Sequence, residues 1–283
     1  MQSESHDRQS TVASFVAGAV SIGLVAAMFT EAVAARRPSP PPPQQPSFRD
    51  ELATYDTNVW IKSDRWANGS PFDNAWRADH VVHSSTLSRM TITLDNLRYL
   101  GEPYSSGEYR TKGFYGYGCY EARFRPIARA GVVTSFFTFA GPYDNGGNGR
   151  HNEIDVEFLG RDTTSVQFNF WTNDDTYSSH HEILLQLGFD AAQAAHNYGF
   201  RWKAGAIEWY VDGNVVFTFA GDVLSPVPSA SDSLQKIMMN VWPVDATAVD
   251  WAGTFVYPGT PLQAQYDWVR YDSSPSCTFT SGV

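Results

Sequence analysis

Between about Ser47 and Asp272 the chain is a succession of short apolar runs broken by turn residues, a pattern that restricts it to β structure. "YGCYEARF", "TSFFTFA", "EIDVEFL", "SVQFNFW", "IEWYVDGNVVFTF", "KIMMNVW" and "AQYDWVRY" each have the length and alternation of a strand. In "EWYVDGNVVF", Asp212-Gly213 separates two apolar-aromatic runs, a hairpin signal because such a turn needs residues that tolerate positive φ. Only "DAAQAAHNYG" is expected to form a brief helix. Many strands, few helices and about 225 residues predict one all-β domain, an antiparallel β-sandwich of the jelly-roll kind.

The flanks read differently. Residues 12 to 30, "VASFVAGAVSIGLVAAMFT", carry no charge, and Ala32-Val33-Ala34 has the small-x-small form of a cleavage site, so residues 1–35 are expected to be a signal peptide. Glu4 and Asp7 before the apolar run and Arg36-Arg37 after it keep a signal anchor open. The protein is therefore expected outside the cell or in the cell wall, either free or held at the membrane through residues 12–30. Residues 36–47, "RRPSPPPPQQPS", predict an extended proline-rich linker. The folded domain is placed at 48–273 and a tail at 274–283.

Twenty Lys and Arg against thirty Asp and Glu give a net charge of -10, which argues against nucleic acid and favours a neutral partner. Cys119 and Cys277 are too few for a disulfide scaffold or a zinc cage. They are expected to stay unpaired, although sequence alone leaves the pairing open.

"RHNEIDVEFLG", residues 150 to 160, carries the chemistry. On a strand, Glu153, Asp155 and Glu157 share one face while Ile154, Val156 and Phe158 take the other. A row of like charges in a half-buried strand must raise the proton affinity of at least one carboxylate. Two carboxyls flanking one bond are the apparatus for cutting a glycoside, one attacking the anomeric carbon while the other protonates the leaving oxygen. Glu153 and Glu157 are the natural pair. Side chains leaning together along the strand can approach the roughly 5–5.5 Å of a retaining enzyme, with Asp155 coupled to both.

Three other readings compete at this point. The row could be a solvated acidic face. His151, Glu153 and Asp155 could ligate a divalent ion, though His180 and His181 are adjacent and would point opposite ways on a strand. The aromatic residues, 14% of the chain, could instead stack a glycan in a binding module that does not cleave it. The loop "GPYDNGGNGR" (141–150), rich in Gly and Asn, could border a cleft.

From about Asn68 to Tyr271 the sequence resembles glycoside hydrolase family 16, and within it bacterial lichenases, the endo-1,3-1,4-β-glucanases. "EIDVEFLGRDTTSVQFNFWTN" carries the likeness, together with "FDNAWRADHV", "EYRTKGFYGYGCYEARF", "SSHHEILLQLGFDAAQAAHNYGFRW", "IEWYVDG", "KIMMNVW" and "QYDWVRY". The resemblance implies a jelly roll with a glucan cleft on its concave face and a retaining double displacement. Glu153 falls on the family's nucleophile, Glu157 on its acid/base and Asp155 on the assisting carboxylate. Asn68, Glu108, Arg110, Asn169 and Asn240 match polar cleft positions, and Trp66, Trp171 and Trp242 match aromatic ones. No cofactor is implied for catalysis. Asp267 matches a residue that helps to bind a structural calcium.

Where lichenases carry Trp-Asp before the motif, this chain has His151-Asn152, which resembles the "HDEIDFEF" of plant xyloglucan endotransglucosylases. His151 is thus expected to shape a neighbouring sugar subsite. The lichenase disulfide positions are Asn74 and Ser106, so that bridge is absent. Asn68-Gly69-Ser70 is a glycosylation sequon that the resemblance puts in the cleft, and Asn68 is expected to be unmodified. These implications give a monomeric endo-β-glucanase acting on mixed-linkage β-1,3-1,4-glucan or a related β-1,4 backbone. A xyloglucan endotransglucosylase and a non-catalytic glucan-binding module are the alternatives.

Overall fold

A computed structural model describes residues 45–173, 181–274 and 276–282. The apolar run 12–30, nearly all of the proline-rich linker and His180 lie outside the described residues.

Two antiparallel sheets account for most of the domain. The seven-stranded sheet runs in the order Ile183–Gln186, Ser165–Trp171, Asn152–Leu159, Val132–Ala140, Lys236–Pro243, Glu108–Thr111, Trp60–Lys62. The second runs Asn214–Ala220, Ala206–Val211, His196–Lys203, Gly118–Arg125, Leu262–Asp272, Arg89–Leu94, Val81–Ser84, and Phe48–Asp50 also pairs with Leu262–Asp272. Strands next to each other in space are often distant in sequence, as expected of a jelly roll. A small sheet of Trp66–Ala67, Asn74–Trp76 and Tyr104–Ser106 stands beside them.

Alternation along each strand builds the layers. Ile154, Val156 and Phe158 have no exposed surface and join the core between the sheets. There Phe158 meets Phe124 at 5.7 Å and Tyr198 at 4.9 Å, edge to face, pairs that add to plain burial. Trp209 crosses from the second sheet and donates from Nε1 to the carbonyl of Asp155 at 3.0 Å, tying the acidic strand's backbone to the opposite layer.

The expected hairpin forms: Val211 pairs with Asn214, with Asp212 at φ 47° and Gly213 at φ 81°. The expected helix at 190–199 does not. Asp190 accepts from Thr163 Oγ1 at 2.6 Å and Ala192 N at 3.0 Å, which makes a tight turn, and from His196 onward the segment is strand. A stretch this short cannot nucleate a helix against a full ladder of partners in Gly118–Arg125 and Ala206–Val211.

The cysteines depart from expectation as well. Cys119 and Cys277 form a disulfide across 158 residues of sequence. It pins the last described residues onto the second sheet, where Glu121 accepts from Thr280 N at 2.8 Å and Phe279 stacks on Tyr210 at 3.8 Å. Cys119 has its pairing partner far along the chain, and only the return of the tail past Leu262–Asp272 brings the two together.

Candidate active site

The register of the seven-stranded sheet determines which residues meet the carboxylates. Glu153 stands between Phe139 and Trp171, Asp155 between Phe137 and Asn169, and Glu157 between Ser135 and Gln167. The last row continues through Asn240, opposite Ser135, to Glu108. The Asp155 row continues through Met238 to Arg110. All of these side chains lie on the face turned away from the core.

Two cavities meet at Asn68 and Glu153. One, of about 540 Å3, is lined by Trp66, Glu108, Arg110, Phe139, Tyr143 and Asn240 among others. The other, of about 600 Å3, contains Asp155, Glu157, Gln167, Asn169, Trp171 and Trp251. They are two arms of one cleft with the acidic strand near its middle. The 141–150 loop borders the first arm through Gly141 to Asp144, and Lys236 holds it by an ion pair with Asp144 at 2.6 Å.

Electrostatics separate the three acids. Burial first, then the charge of Glu153 and that of Glu182, push the Glu157 carboxyl up to about 8, against a hydrogen bond from Gln167 that favours the charged form. Asp155, 3% exposed, is raised well above the ordinary range by burial and by the charges of Glu153 and Glu157. Its hydrogen bond to Glu153 also favours the protonated form. At neutral pH the row therefore offers a proton at Glu157. Glu153 sits between Asp155, which shares a hydrogen bond with it, and His151, whose Nε2 bonds Glu153 Oε2.

Most of the residues singled out in the sequence converge here. Glu108 is buried and accepts from Ser63 Oγ at 2.6 Å and Asn240 Nδ2 at 3.4 Å. Burial raises its proton affinity. Asn169 accepts from His181 N at 2.7 Å. Trp66 lies under the Arg110 guanidinium, 5.6 Å from ring centroid to Cζ. Asn68 is exposed at the junction of the arms, where its Oδ1 accepts from Trp76 Nε1.

His151 and Trp242 also line the second arm. Trp242 is 5% exposed and stacked on Phe72 at 4.0 Å, so only a small part of its indole meets the cleft. His151 is 1% exposed, its ring 4.9 Å from Trp171 and 5.3 Å from Phe139, and it faces the carboxylate of Glu153. Sequence reasoning passed over Gln167 and Trp251. Gln167 is legible in principle as the position two before Asn169 on the same strand face. Trp251 sits on the single turn Val249–Ala252, which carries no pattern.

Asp267 belongs to the second sheet, at the irregularity in Leu262–Asp272. Its carboxylate faces Arg123 Nε at 3.2 Å and Arg89 Nε at 3.7 Å. A calcium ion on that carboxylate would sit against two guanidinium groups, so the donor set does not fit one. Among the described residues no three His, Cys, Asp or Glu side chains converge as a metal site.

Carboxylates in a row, one of them held as a proton donor at neutral pH, set along one strand of a cleft with two long arms, mark a glycoside hydrolase. More narrowly, the chain belongs to glycosyl hydrolases family 16, whose profile matches residues 68–270. It is 43% identical over 227 residues to a beta-glucanase of Bacillus subtilis, covering 80% of this chain and 86% of that one. It is 45% identical over 222 residues to a beta-glucanase of Acetivibrio thermocellus, covering 78% of this chain but spanning only 60% of that relative's length. Among solved structures, the Bacillus licheniformis beta-glucanase superposes with a TM-score of 0.71 at 40% identity, covering 81% of this chain and 99% of that one.

Proposed function

We propose that this protein is a retaining endo-β-glucanase that cuts mixed-linkage β-1,3-1,4-glucan or a related β-1,4 backbone. The observation that carries the reading is a proton donor four residues from a second acid on the same strand face. Glu157 holds a proton at neutral pH, while Glu153 is fixed beside it by His151 and Asp155. Glu153 attacks the anomeric carbon as Glu157 gives its proton to the departing sugar oxygen, leaving a glycosyl ester on Glu153. Glu157, now a carboxylate, takes a proton from water, whose oxygen attacks the same carbon and frees Glu153. Inversion occurs twice, so the β configuration is kept. Similarity to beta-glucanases supports the substrate class, as do the open arms on both sides of Glu153, which admit an internal stretch of polymer.

The histidine before the motif resembles that of xyloglucan endotransglucosylases, in which a second sugar chain takes the place of water. Export through residues 1–35, free or anchored, is part of the proposal. The disulfide supports it, because such bonds persist in oxidising compartments. The enzyme acts as a monomer that needs no cofactor.

The test incubates the protein and Glu153→Gln with mixed-linkage glucan, xyloglucan and a soluble cellulose derivative, with and without labelled oligosaccharide acceptors. Shortening of mixed-linkage glucan that depends on Glu153 is expected. Label entering long xyloglucan would instead assign the transfer reaction, and binding without turnover would reduce the protein to a glucan-binding module.

A further inference from the structure

His151 is buried beside the nucleophile and touches it. Its Nε2 bonds Glu153 Oε2, and its ring is clamped between Phe139 and Trp171, the two residues that flank Glu153 in the sheet. Glu153 has two carboxylate oxygens, and only one can form the bond to sugar. His151 holds one of them, Oε2.

We propose that His151 is a positioning residue that speeds the second half of the reaction, release of the sugar from Glu153. This rests on the glucanase reading above. A carboxylate oxygen accepts a hydrogen bond more strongly than the carbonyl oxygen of an ester. The bond from His151 Nε2 is therefore strong on free Glu153, weakens when the glycosyl ester forms, and strengthens again as that ester breaks. In the first step the imidazole holds the carboxylate in line but gains nothing as charge leaves it. In the second, negative charge returns to Glu153 as the C1–O bond cleaves and water oxygen bonds to C1, with the water proton passing to Glu157. Stabilising that returning charge lowers the second barrier selectively. The Nε2 proton is needed for this, and either the neutral tautomer carrying it or the imidazolium supplies it.

Two substitutions separate the donor from the packing. His151→Phe keeps a ring between Phe139 and Trp171 but has no N–H. His151→Gln gives up the ring, and its amide nitrogen reaches the place of Nε2. The substrate is a β-linked gluco-oligosaccharide bearing a 2,4-dinitrophenyl group, whose departure needs little acid help. Phenol release then reports ester formation, and steady turnover reports ester breakdown. His151→Phe is expected to keep kcat/KM within about threefold and to lose roughly tenfold or more in kcat. A burst of phenol and a glycosylated protein visible by intact mass should accompany that loss. His151→Gln should recover most of the kcat.

Equal losses in kcat and kcat/KM with no glycosylated protein, in both variants, would make His151 a packing residue and overturn the proposal. If His151→Phe does not fold, the comparison is made with His151→Leu, and failure of His151→Gln to exceed it in kcat has the same meaning. Wild-type protein that releases no phenol, or Glu153→Gln that releases it as fast as wild type, would remove the glucanase reading itself.

Discussion

Gln167 Nε2 donates to Glu157 Oε2 at 3.0 Å, and the other end of the same amide accepts from Trp251 Nε1 at 2.9 Å. The indole fixes which way the amide faces, so the acid/base meets a donor.

That relay sets the alkaline edge of activity. Glu157 must be protonated to release the leaving group, so kcat/KM is expected to fall as pH rises through about 8. The Gln167 bond pulls Glu157 toward its charged form. Gln167→Leu should therefore move the alkaline edge to higher pH and lower kcat roughly tenfold, because Glu157 also loses its orientation. Trp251→Phe should shift the edge the same way by less. A pH profile of all three proteins checks the order.

The same proton affinity makes stability depend on pH. Glu157 has an ordinary value of 4.5 when unfolded and about 8 when folded. Between these the folded chain binds more protons than the unfolded one, so this group's contribution falls as pH rises through the window. Glu157→Gln should change the melting temperature little at pH 4. At pH 8 it should stabilise the fold by roughly 1–3 kcal/mol, after allowance for the partial exposure of the site. Calorimetry across the window would show a widening gap.

The bridge between Cys119 and Cys277 lies on the sheet away from Glu153. Cys277→Ser is expected to cost about 2–5 kcal/mol in the oxidised protein, with kcat on glucan unchanged. Chemical unfolding with and without a reducing agent should bring the wild type down to the variant.

Asp267 is held by arginines. Treatment with a chelator should leave the melting temperature unchanged. Asp267→Ala should lower stability by roughly 1–2 kcal/mol, because it leaves Arg89 and Arg123 facing each other without a counter-charge. A chelator-induced loss of several degrees would restore calcium to this site.

Much of this was legible because strand alternation is a local property. Glu153, Asp155 and Glu157 declare a common face by spacing alone, and "SVQFNFW" coincides with the strand Ser165–Trp171. What escaped depends on contacts between distant segments. Cys119 and Cys277 meet only because the tail turns back, and Trp251 reaches Gln167 from a single helical turn. His151 was legible as a cleft residue. Its bond to Glu153 needed the ring's place between Phe139 and Trp171, which the sheet register provides and the sequence does not. Trp242 was likewise legible as a cleft residue, while the Phe72 ring stacked on it comes from a distant segment and was not.

Ser47 Oγ accepts from Ser273 N at 2.9 Å, and the strand that follows, Phe48–Asp50, lies along Leu262–Asp272. A pull applied at residue 47 therefore enters the second sheet and is resisted in shear by those ladder bonds. The strand that bears Glu153 lies in the other sheet. The attachment of residue 47 and the chemistry at Glu153 thus belong to different layers of the sandwich.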